Sequence, residues 1–183
     1  MLRQAAIGRA TRLRGYAVTF DFNILFMEIV QLNANAKLSE HFTLGEFTKS
    51  NSHPEIYNIP SHESIQNMKI LCGWLEVLIK RYNEKYGIGE EPIRINSGYR
   101  SPQLNKAIHG VAGSNHMTGC AADIRVSGME QLLRYAAILL DYADESKQEF
   151  DELLIEKNRY GAIWLHFAVR PSGNRRKVCF INA

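Results

Sequence analysis

Apolar side chains recur at helical spacing through Ile65, Met68, Leu71, Cys72, Leu75, Leu78, Ile79 and Tyr82, marking one face of a long helix. Ser61, just after Pro60, is placed to cap it, and Gly87 to end it. Thr43-Leu-Gly-Glu46 has the capping-box form and predicts a short helical turn. Ser127-Gly-Met-Glu130 repeats that form and opens an amphipathic helix to about Tyr142. Ser101-Pro102 reads as a cap followed by proline at the first helical position, with Gly110 stopping a short helix. Pro92 to Asn96 alternates as a strand does, and residues 120–126 read as a second strand. Phe150 to Glu156, Ile163 to Val169 and Val178 to Ile181 read as three closing strands. Helices gather early and strands late, which predicts an α+β fold with a mostly antiparallel central sheet and helices packed on it.

The domain pattern begins only near Leu38. Residues 1–36 are therefore expected to be a poorly specified extension, and residues 37–183 a single domain. At 183 residues, 45% apolar, the chain is long enough for one core without covalent staples. Cys72, Cys120 and Cys179 are odd in number and irregularly spaced, so reduced thiols in packed positions are expected.

Charge narrows the function. The net charge is +3, but Arg3, Arg9, Arg12 and Arg14 face only Asp21 in the first 26 residues. The remainder is neutral, so no nucleic-acid partner is expected. The run Arg175-Arg176-Lys177 is read as a solvated turn. The apolar stretch Ile24 to Met27 is bounded by Asp21, Asn23 and Glu28, and so falls short of a secretory signal. No segment approaches the ~20 apolar residues of a membrane span. A monomer with no membrane partner is expected.

Candidate chemistry concentrates in Ser114-Asn-His116-Met-Thr-Gly119-Cys-Ala-Ala-Asp123 and in Trp164-Leu-His166. Imidazole and carboxylate are ordinary zinc ligands, and a turn at Gly119 can fold His116 back beside Asp123. Strand alternation puts Trp164 and His166 on one face. Three protein ligands would leave one zinc position for water, the pattern of a catalytic site. Taken singly, each residue has a plainer explanation. His166 can be a hydrogen-bonded core histidine, and Asp123 a cap or an ion-pair partner. Cys120 is read as core, because three residues separate it from Asp123 and strand geometry turns the two apart.

The surrounding residues carry a resemblance. Ser97-Gly-Tyr-Arg100-Ser101, Asn105, Gly110, Ser114-x-His116-x-x-Gly119-x-Ala121-x-Asp123-Ile124 and Trp164-x-His166 resemble the zinc D-Ala-D-Ala carboxypeptidase family. These peptidoglycan peptidases share their fold with the Hedgehog signalling domain. The opening Leu38 to Phe47 is similar to the start of one branch, common in phages and bacteria. The resemblance spans roughly residues 38–181. It implies one Zn2+ per chain on His116, Asp123 and His166, and a Hedgehog/DD-peptidase-like fold. It places the family's substrate-binding arginine on Arg100, where a guanidinium can grip a carboxylate or a developing oxyanion. Ser114 either contacts the substrate or braces the turn, and Trp164 either walls the cleft or is core.

Many members place an acid three residues before the second histidine, where this chain has Ile163. Other branches end the preceding strand with a glutamate, which implies Glu156 as general base. Glu152 shares its strand face about 13 Å away and is the runner-up. The implied activity is hydrolysis of a peptide bond in D-amino-acid-containing peptidoglycan peptides, as carboxypeptidase or endopeptidase, at the cell wall. The rival implication is a Hedgehog-like module that holds zinc without cleaving.

Overall fold

The computed structural model describes residues 33–87 and 91–182. The expectations on the arginine-rich start, the Ile24 to Met27 stretch and most of the extension lie outside the described residues.

Among the described residues, four α-helices and five strands follow in the order α1 (Leu44–Thr48), α2 (His62–Tyr86), β1 (Ile95–Ser97), α3 (Pro102–Ala107), β2 (Ala121–Arg125), α4 (Met129–Ser146), β3 (Glu152–Lys157), β4 (Ile163–Ala168) and β5 (Lys177–Asn182). The caps at Ser61 and Ser101 form as their residue types predict. Ser61 Oγ accepts from the Ser64 N–H, and Ser101 Oγ from the Leu104 N–H. At α1, Glu46 reaches back to accept from both the N–H and the hydroxyl of Thr43. Ser127 differs from expectation. Its N–H and hydroxyl donate to Gln131 rather than to Glu130, and α4 runs on to Ser146. Gly87 does end α2, but in extended backbone rather than in a left-handed cap. β1 starts three residues after Pro92.

The sheet has the order β1-β2-β4-β3-β5. It is mixed, which corrects the expectation of a mostly antiparallel sheet. β1, β2, β4 and β3 pair antiparallel, but β5 lies parallel to β3. The chain reverses after β4 as expected, then passes over β3 to its outer edge, and so runs alongside β3 in the same direction. Alternation of apolar residues sets where a strand lies and which face is buried, but not which edge it joins. Asp151 fixes that edge. Its side chain accepts from the Arg175 backbone N–H, while its carbonyl accepts from the Lys177 N–H at the start of β5. The run 175–177 is solvated, as expected, but it is an anchored lead-in to a strand rather than a turn.

The two sheet faces have opposite characters, because successive strand side chains alternate. Ile124, Leu153, Leu165 and Phe167 turn toward α2 and α4 and join one apolar core. Trp74 of α2 anchors that core with ring contacts to Tyr142, Phe150 and Phe167. Cys72 and Cys120 are buried and unpaired, as expected. The face turned away from α2 and α4 carries Asp123, Glu152, Glu156, Trp164 and His166 along an open cleft of about 850 Å³.

Candidate metal centre and active-site cleft

Asp123 and His166 are direct cross-strand partners on β2 and β4, so their side chains share the cleft face. His116 arrives from outside the sheet. It lies in a short 3-10 turn, Asn115–Thr118, that ends at Gly119 in the left-handed region with φ 75°. Gly119 packs against α2, where an added Cβ would stand 2.4 Å from the Ser64 carbonyl oxygen. Asn67 on the same helix donates to the Thr118 carbonyl and holds the turn down. Gly119→Ala thus meets both a forbidden φ and a backbone clash. It is expected to cost about 1–3 kcal/mol in urea unfolding, and an unchanged midpoint would refute this account of the turn.

The three side chains converge. His116 Nε2 and Asp123 Oδ1 are 3.3 Å apart, His116 Nε2 and His166 Nδ1 3.3 Å, and His166 Nδ1 and Asp123 Oδ1 2.9 Å. A tetrahedral zinc with bonds of about 2.0–2.1 Å needs ligands roughly 3.3 Å apart, so the spacing fits that ion. The tautomer of His116 fits as well. Its Nδ1 lies 2.6 Å from the Gly98 carbonyl oxygen, which can only accept, so Nδ1 carries the proton and the Nε2 lone pair faces the centre. Glu152 stands behind His166, with its Oε2 3.6 Å from Nε2. That distance is too long for a hydrogen bond but within ion-pair reach, and among the described residues buried Nε2 has no hydrogen-bond partner.

The electrostatics of the protein alone already favour a cation here. Burial pushes the His116 imidazole pKa down. Burial also works against a charged His166, yet Asp123 and Glu152 outweigh it and hold that imidazole at about 9. Burial opposes ionisation of Asp123 too, but His116 and His166 keep its carboxyl well below the usual range. His166 and the nearby Arg175 hold Glu152 down to about 2. Two carboxylates around a buried imidazole make a site for positive charge, which a metal ion can supply.

Arg100 is also at the centre, though not free. Its Nη2 donates to Asp123 Oδ2 at 2.8 Å and its Nε to Ser97 Oγ at 2.9 Å. Ser114 braces the turn, its Oγ accepting from the His116 N–H at 3.4 Å. Trp164 lines the cleft, with a buried indole N–H that meets no partner among the described residues. Glu156 pairs with Trp164 across the strands and is partly buried in the cleft, where burial pushes its carboxyl upward. Ile163 packs against the core, on the strand face turned away from His166. An acid at that position of this strand would point away from the site.

The sequence profile of peptidase M15 matches residues 40–148, more than half of the chain. The chain belongs to the peptidase M15 family. It is 27% identical over 99 residues to the "Zinc D-Ala-D-Ala carboxypeptidase" of Streptomyces albus G, a stretch covering 54% of this chain and 36% of that protein. The chain thus spans about a third of the length of the curated relative it matches. The family profile stops before His166, Glu152 and Glu156, so their place in this peptidase M15 chain rests on strand register.

Sequence reasoning missed a polar network at one end of the cleft. Asp151 is 0% exposed and accepts from Arg175 Nε at 2.8 Å, Arg175 Nη2 at 2.7 Å and Asn115 Nδ2 at 2.7 Å. Burial would raise its carboxyl, but Arg175 and Asn115 hold it down to about 2. The folded value lies below the ordinary one of roughly 3.9, so the stabilisation is complete above that value and is lost as pH falls through about 2. Asp151→Asn is expected to lose about 1–3 kcal/mol at neutral pH, toward the lower end because Arg175 is half exposed. Urea unfolding of the variant would also show a shallower loss of stability on acidification, and an identical acid slope would refute the assignment.

Proposed function

We propose that this peptidase M15 chain is a zinc-dependent metallopeptidase that hydrolyses a peptide bond in peptidoglycan stem or cross-link peptides containing D-amino acids. The observation that supports this reading most directly is the convergence of His116 Nε2, Asp123 Oδ1 and His166 Nδ1 at the floor of an open cleft. These three would hold one zinc per chain. Bound there, zinc would supply Lewis-acid polarisation and lower the pKa of water toward ~7. The name of the Streptomyces relative supports both the metal and the substrate class. The domain over residues 37–183 would carry this activity in a Hedgehog/DD-peptidase-like fold, with residues 1–36 as an extension that takes no part in it.

The protein's own groups divide the remaining work. Glu156, two residues along β3 from the level of His166, would take the proton of the attacking water and deliver it to the departing amine. A carboxyl raised by burial is the better proton shuttle near neutral pH. Arg100 would hold Asp123 in place through Nη2 and turn its remaining donors to the developing oxyanion. Trp164 would wall the peptide's path, and Ser114 would act by bracing the His116 turn. Glu152, behind His166, would orient that ring rather than take the water's proton, which supports Glu156 over Glu152 as the base.

Mass spectrometry of muropeptides incubated with the zinc-loaded protein tests the reading. Products lacking a residue or a cross-link are expected, and they should vanish on chelation and return with zinc. Absence of any product from a zinc-loaded, folded protein would favour the rival, a module that holds zinc without cleaving.

A further inference from the structure

The cleft is chemically lopsided. The end near Glu156 is lined by Trp164 and Ile181, whereas the end near Glu152 is lined by Arg170, Arg175 and Lys177. Two carboxylates, Asp151 and Glu152, face those three cations, and both are served without Arg170 and Lys177. Asp151 is held by Arg175 and Asn115. Glu152 accepts from Asn115 at 3.0 Å and pairs with Arg175 at 2.9 Å and with His166. Lys177 Nζ stands 3.5 Å from Glu152 and Arg170 Nη1 3.6 Å from Asp151, both at the margin of contact. Their side chains are 45% and 42% exposed. Among the described residues, Arg175 Nη1 and Arg170 Nε and Nη2 donate to no protein group. Arg175 is at the same time clamped in place by a buried partner, which spares an incoming anion part of the entropic cost of ordering it.

We infer that the Arg170–Arg175–Lys177 end of the cleft is a carboxylate-binding subsite that selects acidic peptides and sets the direction in which they lie across the centre. This rests on the peptidase reading above. Lys177 is the register partner of Glu152, and Arg175 Nη2 reaches the Glu152 carboxylate at 2.9 Å; that level is two residues along β3 from the level of His166, or about 7 Å along the strand. An extended peptide advances about 3.3–3.6 Å per residue, so the recognised carboxylate lies roughly two residues from the scissile bond. Two sources fit: an acidic side chain before that bond, or the peptide's own C-terminal carboxylate after it.

Calorimetric titration separates these sources without requiring turnover. The protein is the zinc-loaded Glu156→Gln variant, and the probes are short D-Ala-containing peptides in matched pairs. One pair carries glutamate or glutamine two residues before the scissile bond; the other ends, two residues after it, in a free carboxylate or a carboxamide. One pair is expected to show about tenfold tighter binding of its acid. That preference should collapse to within about twofold when Arg170→Gln and Lys177→Gln are added together, with melting temperature checking that the variant is folded. Each single change should remove part of the preference. If neither pair discriminates, or if discrimination survives the double change, the subsite does not exist. A preference in this variant, with no cleavage of any peptide by the zinc-loaded wild type, would overturn the peptidase reading alone. Cleavage by the wild type with no preference in the variant would overturn this inference alone.

Discussion

Glu156→Gln is expected to lower turnover at least about a hundredfold while leaving zinc content and melting temperature nearly unchanged. The glutamine keeps the shape of the side chain and removes its basicity, and general acid–base catalysis is typically worth ~10²–10⁴-fold. Three observations support assigning the effect to this residue. Glu156 shares the cleft face with Asp123 and His166. Burial raises its carboxyl, the direction that suits a group required to accept and then return a proton. Ile163, where many relatives of this fold place an acid, packs into the core instead. Glu152→Gln is the control. Its carboxylate sits behind His166, so the change should weaken zinc binding about 10–100-fold, with kcat largely restored at saturating zinc. If Glu152→Gln stayed inactive at full zinc occupancy while Glu156→Gln turned over normally, the two roles would have to be exchanged.

The legible part of this protein was its local chemistry. Ser61 and Ser101 announce their helices because a capping hydroxyl acts within three residues. The positions of β3, β4 and β5 follow from alternation, since burial on one sheet face leaves its mark at every second residue. His116, Asp123 and His166 could be read as a set through the surrounding motif and its family resemblance; the turn at Gly119 and the strand placement of His166 left each residue with a plainer explanation as well. What could not be read was anything set by an edge or by a long-range partner. The parallel seat of β5 depends on Asp151 capturing residues 175–177, and neither partner announces the other along the chain. Strand spacing puts both Glu152 and Glu156 on the cleft face, and register leaves each two residues from the level of His166. Only the side-chain approach of Glu152 to His166 Nε2 separates them, and strand spacing does not encode it. The pairing of Arg100 with Asp123 was hidden for the same reason, because 23 residues separate them.

His116→Ala is expected to cost the most zinc of any single change. Among the described residues, His116 Nε2 lies 3.3 Å from both Asp123 Oδ1 and His166 Nδ1, so its lone pair faces the point where the three donor atoms converge. Its Nδ1 proton is committed to Gly98, which fixes the ring before any metal arrives and spares the ion the cost of ordering it. Alanine would remove one of the three proposed ligands and leave Asp123 and His166, which could no longer surround an ion. The loss of affinity should exceed the ~10–100-fold typical of outer-shell changes, and hence exceed that of Glu152→Gln. The Gly98 carbonyl also loses its partner, at a cost of about 1–3 kcal/mol in the metal-free protein. Competition against a chromogenic chelator measures the affinity, and elemental analysis of the dialysed protein measures the stoichiometry. The wild type should retain one zinc per chain, and His116→Ala close to none after the same dialysis. Full occupancy in that variant would show that the ion binds elsewhere, and the cleft between β2, β3 and β4 would lose its claim to be the metal centre.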